Sequence, residues 1–355
     1  MTAADLAPRA RAPVTSGCTG PAPNDEPAAR PDLSVVVVSW NTRDELRGCL
    51  TSVLDGLAAG DDGAPPIAGE VIVVDNASDD GSADMVEAEL PTVRLLRNPA
   101  NLGFAAGCNL GLALARGRHV LLLNPDTLVL GDVLAATVAY LDDHPEVGAL
   151  GCRVLRPDGT VTPTCFRDPS VLNTALGVSG LAHLRRPRWL GRERMAGWAR
   201  DSERDVDVVT GCYLAVPRAV VDAVGPLDDG YFFCGEEADW CRQIRRAGWA
   251  VRFAPVGEIV HASGVAGAKI DHQRQLLLDA GLVRYAHVND GVVAGLAMWG
   301  LRWAFSVSRC AGWAAVALVR PGAARRAGAR ARRDYFARVV RDFAAVRRLA
   351  GLRRR

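Results

Sequence analysis

An α/β fold with a mostly parallel central sheet flanked by helices is what this sequence predicts, and three observations predict it. Short apolar runs of strand length alternate with segments of helical spacing over residues 33–155, the pattern that βαβ crossovers produce. The runs are rich in Val and Leu without polar alternation, as strands covered on both faces are. Several of them end in an acidic or amide residue followed by turn-forming residues. That places polar side chains at the carboxyl edge, where open α/β sheets bind ligands. Three regions result: a tail over 1–31, a globular domain over 32–265, and a helical, basic extension over 266–355.

Residues 1–31 hold many Ala, Pro and Arg and no apolar signal-peptide core, and read as a disordered tail. Leu33–Ser39 (LSVVVVS) is a continuous β-branched run, hence a fully buried strand. Over 44–57, Leu46, Leu50, Val53, Leu54 and Leu57 recur at helical spacing. Strands follow at 70–74, 93–96 and 120–123, with helices at 81–90 and 109–115 between them. A helix over 133–144 and a strand over 149–155 come next, then a turn at Pro157-Asp158-Gly159-Thr160. The stretch 165–205 has little periodicity and reads as a surface segment or flap. Strand character returns over 206–216, a helix over 239–247 stops at Gly248, and short edge strands fall at 251–254 and 258–260.

A length of 355 residues with 49% hydrophobic content suffices for one large domain and an extension. A net charge of only +2 excludes binding of polyanions by the chain as a whole. Nine cysteines, an odd number with no CxxC pair, point to a reducing compartment with neither a disulfide framework nor a structural zinc. The extension reads as helical over 272–287. Its next segment, 292–319, is strongly apolar but carries Arg302 and Arg309, whereas a spanning helix wants about 20 nearly uncharged residues. From 320 onward, thirteen Arg stand against Asp334 and Asp342, with Tyr335, Phe336, Val339, Val340, Phe343, Val346 and Leu349 at helical spacing between them. A basic helix with an apolar face predicts contact with an anionic membrane surface. Trp299, Trp303 and Trp313 suit headgroup depth.

The run His119-Val120-Leu121-Leu122-Leu123-Asn124-Pro125-Asp126-Thr127 is the most informative. A strand bounded by Gly117 and Pro125 ends at a carboxylate, which can hold a divalent cation and through it a diphosphate. The same Asn-Pro-Asp-Thr also makes a good turn. Asn41 and Asp75 close neighbouring strands and face the same crevice; Asp75 can accept from an N–H donor or cap its own turn. Asn98, Asn101, Gly103 and Gly107 form a loop before a helix, where backbone N–H groups can meet phosphate or sugar oxygens. Glu236, Glu237 and Asp239 open another helix, where acids suit the macrodipole and a carboxylate can also take a proton. No Gly-rich phosphate loop and no GxGxxG follows the first strand, which argues against a nucleotidyltransferase and a dinucleotide-dependent dehydrogenase.

Five segments, Val38-Ser39-Trp40-Asn41, Val74-Asp75-Asn76-Ala77-Ser78, the loop from Arg97 to Phe104, Asn124-Pro125-Asp126, and the run from Phe232 to Trp240, occur in an order and spacing that resemble the family 2 glycosyltransferases. These have a GT-A fold that binds nucleotide-diphosphate sugars. Within the family the chain resembles bacterial rhamnosyltransferases that act on polyprenyl-diphosphate-linked sugars. The resemblance implies an inverting transfer, most simply of L-rhamnose from dTDP-L-rhamnose, to a lipid-linked or polysaccharide acceptor in cell-wall or surface glycan synthesis. It implies nucleotide-sugar contacts from Asn41, Asp75, Asn76, Asn101, Gly103, Asn124 and Asp126, with Asp75 accepting from the base. Asp126 matches the last acid of the metal motif, here Asn-Pro-Asp rather than Asp-x-Asp, and His261 matches a histidine that joins the shell of Mg²⁺ or Mn²⁺. Glu237 matches the second acid of a paired-acid motif, Glu-Glu here where the family usually has Glu-Asp, and is the general base, with Glu236 as the second candidate. Gly211, Cys212, Asp239 and Trp240 are expected around the acceptor. UDP-hexose, UDP-galactofuranose and GDP-mannose remain open as donors, and a non-catalytic, membrane-associated sugar-nucleotide-binding protein is the alternative class. The expected setting is peripheral, at the cytoplasmic face of the plasma membrane, with no nucleic acid partner.

Overall fold

The computed structural model describes residues 18–19, 30–58, 66–179, 195, 197–262, 271–319 and 322–352. Its strands are β1 (Cys18–Thr19), β2 (Leu33–Ser39), β3 (Gly69–Asp75), β4 (Arg94–Arg97), β5 (His119–Leu123), β6 (Thr127–Val129), β7 (Val147–Leu155), β8 (Cys165–Phe166), β9 (Arg204–Asp205), β10 (Val208–Val209), β11 (Tyr213–Pro217) and β12 (Ala250–His261). The helices are α1 (Arg43–Ala58), α2 (Ser82–Glu89), α3 (Phe104–Leu114), α4 (Val133–Asp143), α5 (Val171–Val178), α6 (Arg218–Val224), α7 (Glu236–Arg246), α8 (Asp271–Asp290), α9 (Val292–Val319), α10 (Ala323–Asp342) and α11 (Ala345–Leu349).

The main sheet runs β1-β4-β3-β2-β5-β11-β7-β12-β6, with β9 paired to β12, while β8 and β10 form a separate pair. Strands β4, β3, β2 and β5 are mutually parallel, and β11 enters antiparallel between β5 and β7. The register aligns Ser39 with Asp75 and Val37 with Leu123. The carboxyl ends of β3, β2 and β5 therefore open onto one edge, as the apolar runs predict.

Period-two side-chain alternation splits the core into two layers. Val35 and Val37 of β2 pack with Leu46, Leu50 and Val53 of α1, whereas Val36 and Val38 pack on the other face with Ala105, Cys108 and Leu112 of α3. Helix α3 lies close against β2. A Cβ at Gly111 would stand 2.3 Å from Val36 Cγ1, so a glycine is what this approach requires.

Three expectations change on contact with the structure. Residues 250–261 form one strand rather than two short edge strands, flanked on both sides by β7 and β6. Its register shifts between Phe253 and Glu258; Pro255, which has no N–H to give, lies within that interruption. Residues 206–216 break into β10 and β11 around the Thr210-Gly211-Cys212 turn. Within the expected tail, Cys18–Thr19 pairs antiparallel with Leu95 and Leu96 at the sheet edge, and the remainder of 1–29 lies outside the described residues.

The extension departs most from its expected role. Val339, Phe343, Val346 and Leu349, expected to face a membrane, are buried against Leu276, Leu277, Ala280 and Val283 of α8. Burying Asp279 beside Arg302, 2.6 Å away, ties α8 to α9. The outward face of α9 is the apolar surface left over. Val293, Leu296, Trp303, Leu318 and Val319 are all exposed there, and at 100° per residue they fall with Ala297, Ala304, Ala311 and Ala315 on one uncharged stripe. Among the described residues no helix is long and apolar enough to cross a membrane.

Candidate active site

A cavity of about 530 Å³ opens at the carboxyl edge of β2 and β5. Into it the fold brings Asn124, Asp126 and His261, Asn76, Asn101 and Gly103, Gly211 and Cys212, and Glu236 and Glu237. The loops that carry these residues are stitched to one another. Asn101 Oδ1 accepts from the Gly103 N–H at 2.9 Å, Asn76 Nδ2 donates to the Gly103 carbonyl at 3.0 Å, and Asn98 Nδ2 donates to Asn76 Oδ1 at 2.8 Å. The Phe104 N–H donates to the Phe232 carbonyl at 2.9 Å, joining the start of α3 to the loop before α7. Gly103 has φ +88°, and a Cβ there would lie 2.4 Å from the Phe232 oxygen. Only glycine fits that crossing.

Asp126 and His261 meet through the β6–β12 ladder, in which His261 pairs with Thr127. His261 Nε2 lies 3.1 Å from Asp126 Oδ1 and 3.3 Å from Asn124 Nδ2, and both the imidazole and the carboxylate are largely buried. Burial opposes a charged imidazole, but hydrogen bonds to Asp126 and Cys212 outweigh it and hold the His261 pKa up to about 10. The proton on His261 thus balances Asp126 in the place where a cation would do so. The donor set, one carboxylate and one imidazole, suits Mg²⁺ or Mn²⁺. Among the described residues no cluster of three or more His, Cys, Asp or Glu could hold a metal ion. A cation here would therefore complete its shell with phosphate oxygens and water, the mode by which Mg²⁺ commonly joins a substrate to a protein.

The second acidic group is Glu236 and Glu237 at the start of α7. Glu236 is buried, with Oε2 lacking a hydrogen-bond partner among the described residues. Burial and the neighbouring Glu237 push its carboxyl well above the usual range. Glu237 is half-buried and accepts from the Gly235 N–H at 3.3 Å. Burial raises it too, while the backbone N–H groups of Glu237 and Gly235 pull it back. Both carboxyls are thus held above the usual range, and Glu236 is the more buried of the two.

Four expected site residues lie outside the cavity lining. Asp75 is buried; Oδ2 accepts from the Ser78 N–H at 3.0 Å and caps the turn, while Oδ1 has no hydrogen-bond partner among the described residues. Asn41, at φ +55°, spends its side chain on the loop after β3, accepting from the Asp79 N–H at 2.8 Å. Trp240 is fully buried and donates to the Gly225 carbonyl at 2.9 Å. Asp239 accepts from Gln243 and Asn289, tying α7 to α8. Arg153 and Arg167 pair with Glu258 and Asp207 on the surface.

Sequence reasoning quoted Phe104, Phe232 and Phe233 within motifs but gave these aromatic walls no role, and missed Phe166 and, on α8, Arg274 and Leu277. The boundary expected at 265 hides the last two, because the extension itself helps to form the cavity. Spacing along α8 gave no sign of it: Arg274 and Leu277 lie three apart, as neighbours on any helix face do.

The central sheet flanked by helices, with its cavity at the carboxyl edge, is a fold of the GT-A type. Two solved structures share it: a mannosyltransferase from Pyrobaculum calidifontis in complex with GDP-Man and Mn²⁺, at TM-score 0.51, 20% identity and coverage of 92% of this chain and 88% of that one, and GalNAc-T7 with UDP, GalNAc and Mn²⁺, at TM-score 0.50, 17% identity and coverage of 74% and 48%. Residues 34–177 match glycosyl transferase family 2. The chain is 30% identical over 203 residues, 54% of its length, to the N-acetylglucosaminyl-diphospho-decaprenol L-rhamnosyltransferase of Mycobacterium tuberculosis. It spans 66% of that relative's length. Family match and relative make the chain similar to family 2 glycosyltransferases, rhamnosyltransferases among them, and the shared fold agrees with that likeness.

Proposed function

We propose that the chain is an inverting glycosyltransferase that moves a sugar, L-rhamnose from dTDP-L-rhamnose in the first place, onto a hydroxyl of a lipid-linked acceptor in surface glycan synthesis. The observation that carries this is the meeting of Asp126 with His261 and of Glu236 with Glu237 in one cavity. Glu237 takes the proton of the acceptor hydroxyl as its oxygen bonds to the anomeric carbon. The bond from that carbon to the diphosphate breaks, and its electron pair leaves with the nucleotide. Glu236, protonated, keeps a second negative charge away from the base. Asp75 Oδ1 offers an acceptor to an N–H of the base. Mg²⁺ or Mn²⁺ held by Asp126 and His261 would neutralise the departing diphosphate.

The aromatic and apolar lining suits a sugar ring, and the extension suits a peripheral position on an anionic membrane, at the cytoplasmic face where a nucleotide sugar is available. The uncharged stripe of α9 supports this, as do nine arginines against Asp334 and Asp342 over residues 323–349. The test is transfer by the purified protein from dTDP-L-rhamnose, UDP-galactofuranose, UDP-hexoses or GDP-mannose to polyprenyl-diphosphate N-acetylglucosamine, with Mn²⁺ or Mg²⁺. Product of inverted anomeric configuration from the rhamnosyl donor is expected. Absence of transfer from every donor overturns the proposal.

A further inference from the structure

The loop over 228–235 sets where the two glutamates stand. It leads directly into Glu236 and Glu237 at the start of α7, and it gives Phe232, Phe233 and Cys234 to the cavity wall. The backbone turns sharply at its end: Cys234 has φ +66°, in the left-handed region that residues other than glycine avoid. Such a conformation persists only where surrounding contacts impose it. Several of those contacts come from the extension. Arg284 of α8 donates to the Asp228 carboxylate from Nε at 3.0 Å and from Nη2 at 2.7 and 2.8 Å, a two-pronged pairing at the first residue of the loop. Its Cζ lies 5.2 Å from the centroid of the buried Tyr231 ring. Its Nη1 donates at 3.2 Å to the carbonyl of Ala350, at the end of α11. One turn earlier on the same face of α8, Gly281 leaves room for the Cys234 carbonyl, which a Cβ there would strike. A single guanidinium thus joins the loop, α8 and the end of α11.

We infer that Arg284 is a positioning residue: it clamps the loop over 228–235 to the extension and so fixes how the paired glutamates reach into the cavity. Arg284 stands outside the cavity lining and acts through the loop. The inference rests on the transferase reading above, in which those glutamates serve the acceptor hydroxyl. It gives the extension a part in the chemistry in addition to its place on a membrane.

Arg284→Gln and, from the other side of the pair, Asp228→Asn test this, with Arg284→Lys as the conservative variant. In both single variants kcat should fall about ten- to a hundredfold while donor KM stays within about twofold, since misplacing a reacting group by about 1 Å can cost about 10² in rate. The double variant should be no slower than the worse single one, because partners in one contact do not add, and Arg284→Lys should recover part of kcat. A readout free of turnover is alkylation of Cys234 by a thiol reagent, followed by peptide mass spectrometry with Cys310 as the internal control; neither is fully buried. Labelling of Cys234 should speed up by about tenfold in Arg284→Gln and Asp228→Asn as the loop opens locally, with Cys310 unchanged. An unchanged kcat, a loss confined to donor KM, additive penalties in the double variant, or unchanged labelling of Cys234 overturns the inference. An equal rise at Cys234 and Cys310 reports general unfolding and overturns it too. Faster labelling of Cys234 alone, in a protein that transfers from no donor, supports the clamp and overturns the transferase reading.

Discussion

Replacing Glu237 by Gln removes a proton acceptor while keeping the shape of the side chain. The amide oxygen can still accept from the Gly235 N–H, so the start of α7 should hold. What disappears is general-base assistance, worth about 10²–10⁴ in rate, or about 3–5.5 kcal/mol at ~1.4 kcal/mol per tenfold. Glu236 stands beside it with an unpartnered oxygen. Partial substitution by that neighbour should keep the single variant near the ~10² end, and the Glu236→Gln, Glu237→Gln double variant should approach ~10⁴. Burial raises Glu237 above the ordinary 4.5. A base must be ionised, so kcat/KM should climb with pH through a value above that of a free glutamate and fall away in acid. The assay is release of nucleotide diphosphate and formation of glycosylated acceptor between pH 5 and 8, with donor affinity measured separately. A Glu237→Gln enzyme that turns over within twofold of wild type, or that keeps an unchanged acid limb, refutes the assignment.

Asp126→Ala should abolish turnover stimulated by Mg²⁺ or Mn²⁺ and weaken Mn²⁺ binding measured by paramagnetic resonance in the presence of nucleotide diphosphate. Glu236 has a raised carboxyl pKa in the folded protein, so its charged form is what folding penalises; the cost is absent below the unfolded-state pKa and grows as pH rises above it. The Tm difference between Glu236→Gln and wild type should therefore move in favour of the variant from pH 4 to pH 8. Gly103→Ala places a Cβ against the Phe232 carbonyl at φ +88° and should cost about 1–3 kcal/mol in denaturant unfolding. Trp303→Glu, on the exposed stripe of α9, should lower co-sedimentation with anionic vesicles at high salt, where the basic helix alone is screened; undiminished binding would remove α9 from the membrane face.

The parallel sheet was legible because its strands are buried on both faces, so that Leu33–Ser39 and the run before Asn124 show as unbroken apolar segments. Asp75 and Asp126 were legible because each closes or closely follows such a run. Less visible was anything decided by pairing at a distance. Whether 250–261 is one strand depends on two neighbours, β7 and β6, that stand far away in the chain. The apolar residues of the basic tail follow a helical period whether lipid or α8 covers them, and only packing chose α8. Trp240 could have stacked on a sugar, but its indole N–H found the Gly225 carbonyl within the core. Arg274 carries no local signature at all.

The two pairs differ in how their charge is balanced, and the difference supports the roles proposed for them. Asp126 has a basic partner, and the proton on His261 offsets its charge inside a largely buried site. A partner that a proton can fill is one that a cation can fill, so this pair suits the end of the reaction where negative charge builds on a leaving group. Among the described residues Glu236 and Glu237 have no cation paired with them, and burial raises both carboxyls. A raised pair of this kind suits the proposed transfer of a proton from the acceptor. Joined by the loop contact from Phe104 to Phe232, the pairs face a single cavity, and a sugar passed between a departing diphosphate and an arriving hydroxyl requires both.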